Sequence, residues 1–204
     1  MQSTYPRCII GVMIKLKYGN TNTYLIKGKE SYLLFDTDWA GTFEAFCKAL
    51  KEKGIKLQDI EYLIISHFHP DHMGIAGAIA QTGVKIVVLD IQKNYIHFAD
   101  GIFAKDKTKP FVPIDDEQVT KISISESRRF LSSIGIEGEI IHTPGHSDDS
   151  ISLCLDNGDL FVGDLNPLYE LPLHEGTLIG DTWKELLARK PSRIFYGHAK
   201  EAKI

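Results

Sequence analysis

The sequence feature that most constrains this chain is a group of titratable residues placed directly after an apolar segment, in YLIISHFHPDHMG, residues 62–74. Three histidines and an aspartate fall within six residues, from His67 to His72. Burying imidazole and carboxylate groups is costly unless hydrogen bonds, ion pairs or a metal replace their lost hydration. The fold must therefore supply such compensation here.

The spacing of these residues indicates two side-chain directions. His67 and His69 are two positions apart, so an extended backbone sends both to the same side, where they can share one ion. Pro70 keeps His69 extended and starts a helix, so Asp71 and His72 turn elsewhere, in a position that suits a second ion. Asp71 alone could cap the helix, and a single histidine could be hydrogen-bonded at a sheet edge. The complete pattern favours metal binding.

The first part of the chain reads as strands and then as a strand, helix, strand unit. The runs RCIIGVMIKL, NTYLIKG and SYLLFDTD predict a three-stranded meander. Helical periodicity from Thr42 predicts an amphipathic helix that Gly54 ends. EYLIIS, a small-residue helix from about His72 to Gln81, and VKIVVL then predict parallel strands covered by helices.

The second part returns to strands after an irregular segment. Residues 91–118 are polar and contain prolines, with Phe103 and Phe111 among them, and both a lid and a surface excursion are compatible with that composition. Further strands are predicted at GEIIHTP, SISLCLD, LFVGD and RIFYGH, with a helix near Thr182 to Arg189.

Composition narrows the class of protein. With 204 residues, 43% of them hydrophobic, and a net charge of −4, we expect one domain over residues 1–204, without nucleic-acid or membrane partners. Cys8, Cys47 and Cys154 have no paired spacing, which favours a reducing compartment. No export segment is visible at the start of the sequence, and a cytoplasmic protein is expected.

Three later strands end in residues that could complete a metal site: His146 in TPGHS, Asp164 in VGD and His198 in YGH. Each lies beside a glycine, where the backbone can approach closely. Together with SHFHPDH, these motifs resemble the metallo-β-lactamase superfamily in their order along the chain. The resemblance extends from Asp36 in LLFDTD to His198 and implies an αββα sandwich of two mixed β-sheets flanked by helices.

The resemblance also implies a ligand set for two metal ions. The first ion would be held by His67, His69 and His146, the second by Asp71, His72 and His198, with Asp164 bridging both. Asp36 would support the site by orienting an imidazole, with a helix-capping or turn aspartate as the alternative interpretation. The donors are imidazole and carboxylate, so we expect two zinc ions per chain, with iron and manganese as alternatives.

Such a site predicts a metal-dependent hydrolase. Two ions about 3.5 to 4 Å apart can hold a bridging water and lower its pKa towards roughly 7. The resulting hydroxide would attack a small ester, thioester, lactone or phosphodiester. The catalytic residues would be Asp164, which bridges the ions, and Asp71, which could shuttle the proton.

Residues that would contact the substrate are harder to predict. Tyr169 or His174 could donate to a developing oxyanion, with ordinary loop packing as the alternative. Lys105, Lys107 and Lys109 could meet an anionic substrate or form a solvated charged loop. His97 and His142 have no partner spacing and are expected to be structural.

Two other functions stay open. Persulfide dioxygenases of the same superfamily keep this motif with a single iron, and a non-catalytic metal-binding protein could keep the fold. The printed sequence ends six residues after His198, which argues against a glyoxalase-II-type helical domain. We expect a small-molecule substrate. The oligomeric state is open, with a homodimer among the options.

Overall fold

Successive side chains along each strand pack on opposite faces of its sheet, and the apolar core is therefore divided into three layers. In the strand Thr23–Lys27, Tyr24 and Ile26 face the space between the two sheets, whereas Leu25 packs on the other side, under the helices. A third apolar cluster, which includes Trp183 and Leu186, lies on the outer face of the second sheet. The computed structural model describes residues 12–204, and these form the four-layered αββα sandwich that the sequence predicts.

The first sheet has six strands in sequential order: β1 (Met13–Leu16), β2 (Thr23–Lys27), β3 (Tyr32–Phe35), β4 (Ile60–Ile64), β5 (Lys85–Leu89) and β6 (Val119–Ile122). The first three pair antiparallel, as predicted for a meander, and β3 to β6 pair parallel. The part of the run RCIIGVMIKL that precedes residue 12, with Cys8, lies outside the described residues.

The second sheet contains β7 (Gly138–His142), β8 (Ile151–Leu155), β9 (Asp159–Phe161), β10 (Arg193–Phe195) and β11 (Ala202–Lys203), with β7 and β11 at its edges. β9 and β10 are parallel, and the other pairs are antiparallel. The helices are α1 (Phe43–Glu52), α2 (Pro70–Met73), α3 (Ala76–Ala80), α4 (Asp100–Phe103), α5 (Ser127–Ser133) and α6 (Leu178–Ala188).

The helix predicted from about His72 to Gln81 is wrong in its continuity, because the chain forms α2 and α3 with a break at Gly74 and Ile75. The His72 carbonyl accepts hydrogen bonds from the N–H and hydroxyl of Thr37 and is not paired along a continuous helix. A Cβ at Gly74 would collide with the backbone of Trp39 and Ala40. Close packing of a distant loop therefore divides the helix.

Other element boundaries also differ from the sequence prediction. α6 begins at Leu178, a turn before Thr182, because the Thr177 hydroxyl accepts a hydrogen bond from the Gly180 N–H and caps it. β6 and α5 were not predicted. α5 buries only Ser127 and Leu131, so it carries a weak helical signal.

The irregular segment, residues 91–118, is anchored on its inner side. Ile96, Phe103 and Ile114 are buried in the core, and Phe103 stacks on Phe111 with ring centroids 4.3 Å apart. Within residues 12–204, the helices are too short or too polar to cross a bilayer.

Candidate metal centre

Each candidate side chain follows the carboxyl end of a strand. Asp36 follows β3, the segment His67–His72 follows β4, and His146 follows β7. Asp164 follows β9 and His198 follows β10. These strand ends meet at one edge of the sandwich, the usual place for a functional site in such sheets.

The first group of side chains is His67, His69 and His146. Each offers a ring nitrogen, and these nitrogens lie within 4.8 Å of one another. His146 Nε2 is 3.1 Å from His69 Nδ1, and the three ring centroids are 4.5 to 4.9 Å apart. This arrangement brings together the three residues predicted to hold the first ion.

The second group is Asp71, His72, Asp164 and His198, whose donor atoms also lie within 4.8 Å of one another. His198 Nε2 is 3.0 Å from Asp71 Oδ2 and 3.3 Å from His72 Nε2. The rings of His67 and His72 are 4.2 Å apart, so the two groups are adjacent.

Asp164 lies between the two groups. Its Oδ1 is 3.1 Å from His72 Nε2, and its Oδ2 is 3.4 Å from His198 Nε2 and 3.7 Å from His146 Nε2. A single carboxylate therefore faces histidines of both groups.

The surroundings of His67 indicate that the cluster fits a cation. Its Nε2 atom is buried without a hydrogen-bond partner among residues 12–204, while its Nδ1 lies 3.0 Å from Ser66 Oγ. Burial, reinforced by the neighbouring His72, lowers the pKa of His67 well below its usual value, so the ring is neutral. An unpaired buried nitrogen is costly, and coordination to a metal ion removes that cost.

The ring nitrogens that face each other also indicate metal binding. Imidazole nitrogens that approach one another, as in the pairs His69–His146 and His72–His198, can direct their lone pairs at one ion once the rings have lost their protons. Imidazole and carboxylate donors suit zinc, iron or manganese, and no cysteine of the part described by the structure belongs to either group. The donor set therefore fits one or two divalent metal ions.

Carboxylates make the second group attractive to positive charge. Burial alone would lower the pKa of His72, but the carboxylates of Asp36 and Asp164 outweigh it and raise that pKa to about 10. Hydrogen bonds with Asp164 and Asp71 raise the pKa of His198 to about 10 as well. A bound cation would take the place of the protons on these rings.

Asp36 is held in a left-handed conformation with φ 62° and is almost fully buried. Its Oδ1 accepts a hydrogen bond of 2.6 Å from the Ser66 N–H, and its Oδ2 lies 3.0 Å from His72 Nδ1. The contact keeps a proton on Nδ1 and leaves Nε2 of His72 facing the cluster. The orienting role that the resemblance implies for Asp36 is in agreement with this geometry.

Residues that hold the ligand loops were missed at the level of sequence. Buried Asp149 accepts a 2.7 Å hydrogen bond from the Phe68 N–H, between His67 and His69. Buried Gln92 donates to the carbonyls of Ile65 and Asp149 at 2.9 and 3.1 Å. In the sequence, Asp149 could be recognised as the second of two aspartates in the loop that follows His146. Gln92 lies in no motif.

The loop between β1 and β2 contributes two further supports. Asn22 Nδ2 donates to the carbonyls of Tyr196 and Ala199, both at 2.9 Å, and so holds the turn that carries His198. The Thr21 hydroxyl donates to the Asp71 carbonyl at 2.7 Å. Both contacts join segments far apart in sequence, which local patterns do not reveal.

The predicted substrate contacts are not brought into the cluster. Tyr169 and His174 lie on a 3₁₀ segment, Leu168–His174, and within residues 12–204 neither forms a hydrogen bond or ion pair with the seven clustered residues. Lys105, Lys107 and Lys109 are all exposed. His97 faces Asp100 and Asp116, and His142 donates to the Asp148 carbonyl, as expected for structural residues.

Comparison with known proteins identifies the family. The model of the metallo-beta-lactamase superfamily matches residues 16–198, and the chain therefore belongs to that superfamily. A protein of Methanocaldococcus jannaschii named as a probable metallo-hydrolase is 32% identical over 75% of this chain and 71% of its own length. The solved structure of the B3 metallo-beta-lactamase BLEG-1 has a TM-score of 0.69 at 20% identity, covering 94% of each chain, a likeness that shows the fold.

Two further relatives are longer than this chain. The beta-lactamase-like protein 2 homolog of Drosophila melanogaster is 28% identical over 87% of this chain, which spans 58% of that protein. An atrochrysone carboxyl ACP thioesterase of Aspergillus aculeatus is 27% identical over 74% of this chain, which spans 41% of the thioesterase. The chain thus corresponds to about half of these two relatives.

Asp149→Ala tests whether the loop between His67 and His69 is held as the structure indicates. The change leaves the Phe68 N–H unpaired, so we expect a loss of about 1 to 3 kcal/mol of stability and a metal affinity about 10- to 100-fold lower. Urea unfolding and competition with a chromophoric zinc chelator measure the two effects. The matched control is Asp148→Ala, next in the chain and exposed, which should change neither quantity. Equal effects in the two variants would contradict this role.

Gly197→Ala tests the close packing of the centre without removing a donor. A Cβ at residue 197 would lie 2.5 Å from Asp164 Oδ1 and 2.8 Å from His72 Cε1, so both side chains must shift. We expect metal affinity to fall about tenfold or more while the helix and strand content, measured by circular dichroism, is kept. Gly101→Ala, where nothing lies within 4 Å of the added Cβ, is the control. Unchanged affinity in Gly197→Ala would show that the geometry tolerates the shift.

Proposed function

We propose that the chain hydrolyses a small ester, thioester or lactone with the help of two divalent metal ions, zinc being the first choice. The observation that carries this proposal is the position of Asp164 between two adjacent groups of metal-binding side chains. His67, His69 and His146 would hold the first ion, and Asp71, His72 and His198 the second. Asp164 would contact both.

Once bound, the ions would supply a water of lowered pKa and polarise the carbonyl under attack. Asp71 is placed to handle the proton. Its Oδ2 is 3.0 Å from His198 Nε2, and its side chain is 33% exposed, so it can exchange a proton with bulk water. Burial would raise its pKa, but the hydrogen bond with His198 and the charge of His72 outweigh burial and lower it. The carboxylate is therefore an ionised proton acceptor at neutral pH.

Hydrolysis by an activated water is favoured because the described cysteines offer no competing nucleophile. Burial raises the pKa of the Cys154 thiol, on β8, to about 12. Burial also raises the pKa of Cys47, which packs on the core from α1. Neither thiol belongs to the clustered groups, and both would be protonated at neutral pH.

Carbonyl substrates are favoured over phosphodiesters by the charges around the centre. Within residues 12–204, Asp36, Asp71 and Asp164 form ion pairs with histidines only, and no lysine or arginine pairs with them. A phosphodiester carries a negative charge, and arginine or lysine side chains commonly bind such phosphate groups in proteins. The relative named as a carboxyl ACP thioesterase supports a thioester among the carbonyl substrates.

Replacing His67 or Asp164 by alanine tests the metal requirement. Each change removes a donor atom from the centre, so we expect the zinc content to fall from about two ions per chain to one or fewer. We also expect kcat/KM for an activated ester to fall more than about 100-fold. Elemental analysis and steady-state kinetics on the same preparations give the two values.

His97→Ala is the matched control, because its ring pairs with Asp100 and Asp116 outside the two groups. It should keep both zinc content and activity. Full activity in zinc-free protein would contradict the proposal. One iron ion per chain, with oxygen consumption on a glutathione persulfide and no ester hydrolysis, would overturn it in favour of the dioxygenase alternative.

A further inference from the structure

Three large apolar side chains are exposed on the segments around the metal centre: Trp39, Phe98 and Ile102, called here the apolar rim. Their exposed fractions are 37%, 52% and 42%. An isolated exposed apolar side chain is ordinary, but exposed apolar side chains grouped next to a polar centre indicate a binding surface.

The rim touches the centre on one side. The ring of Phe98 lies 5.6 Å from the ring of His69, tilted by 33°, so a group resting on Phe98 is next to a proposed ligand of the first ion. Ile102 follows four residues later, in α4, next to Phe103, whose ring meets the Trp39 ring. Phe98 therefore places apolar surface directly beside the reaction site.

Trp39 connects the rim to the second group of ligands. The backbone N–H of Trp39 donates to Oδ1 of Asp38, and Oδ2 of Asp38 accepts from the backbone N–H of Thr21. The backbone of Trp39 also packs on Gly74, directly after α2, the helix of Asp71 and His72. The loop of Trp39 is thus fixed with respect to this helix.

A buried aromatic base supports the exposed rings. Phe103, 3% exposed, meets the Trp39 ring edge-on with centroids 5.3 Å apart and stacks on Phe111. A preformed apolar surface binds an apolar group without having to order its own side chains first. This favours a ligand over a role in further folding of the chain.

We propose that the apolar rim binds the acyl chain of the substrate, so that the preferred esters or thioesters carry a medium-length aliphatic acyl group. This inference rests on the proposed hydrolase function and names its substrate class. Burial of each methylene would favour binding about fourfold, enough to separate acyl groups by length. Three side chains are far fewer than the roughly 20 to 30 residues per side of a stable protein interface, so a small ligand is the better occupant.

The kinetic test uses 4-nitrophenyl esters from acetate to octanoate with the zinc-loaded protein. We expect kcat/KM to rise at least tenfold from acetate to octanoate. The octanoate-to-acetate ratio should fall at least fivefold in Phe98→Ala and in Ile102→Ala. Leu173→Ala, an equally simple truncation of a side chain 81% exposed on the 3₁₀ segment, should keep the ratio.

A binding test is independent of catalysis. The chain has two tryptophans, and Trp183 is fully buried, so a change of tryptophan emission on adding sodium octanoate reports on Trp39. We expect a blue shift that saturates with octanoate in metal-free protein, at least tenfold weaker binding of butyrate, and loss of the shift in Trp39→Phe.

The outcomes separate the two proposals. Ester hydrolysis with no dependence on acyl length, and no octanoate shift, would overturn the acyl-chain inference and leave the hydrolase standing. An octanoate shift without hydrolysis of any ester would overturn the hydrolase while supporting the apolar site. If Trp39 emission shifts with protein concentration and not with octanoate concentration, the inference is overturned, because the rim would then bind a second copy of this chain.

Discussion

The structure depends on how this fold compensates the burial of polar groups at the end of β4. Asp36 accepts from the Ser66 N–H and from His72, and the ring of His72 in turn faces Asp164 and His198. Among residues 12–204, this network leaves Nε2 of His67 and Oδ1 of Asp164 without a hydrogen-bond partner. Desolvated nitrogen and carboxylate groups that converge on one another are stable together when a cation sits among them. The buried polar cluster and the expected metal are thus two aspects of the same requirement.

The sandwich meets this requirement by bringing strand ends together. β3 and β4 of the first sheet and β9 and β10 of the second carry their polar residues to one edge, while alternate residues of the same strands form the apolar layer between the sheets. Tyr24, Phe161 and Phe195 pack there with centroids 4.8 to 5.6 Å apart. The rigid layer positions the loops, and Gln92, Asp149 and Asn22 hold the loops in turn.

The parts of the molecule that the sequence predicts are those set by local spacing. His67 and His69 at alternate positions, and the glycine beside His198, are visible in short motifs, and period-two strands predict the sheets. Contacts across long separations are not visible. The Phe68–Asp149 hydrogen bond joins residues 81 positions apart. The helix breaks after α2 because Thr37, far away in sequence, donates a hydrogen bond to the His72 carbonyl. α5 was missed because most of its residues face solvent, which weakens the helical period.

The proposed function requires two divalent ions that share Asp164. Anomalous diffraction at the zinc edge, on crystals of the protein loaded with zinc, tests it most directly. We expect two peaks about 3.5 to 4 Å apart. One should lie at the nitrogens of His67, His69 and His146 and the other at Asp71, His72 and His198, with a carboxylate oxygen of Asp164 close to both. A single peak away from Asp164, or no peak within the cluster, would contradict it.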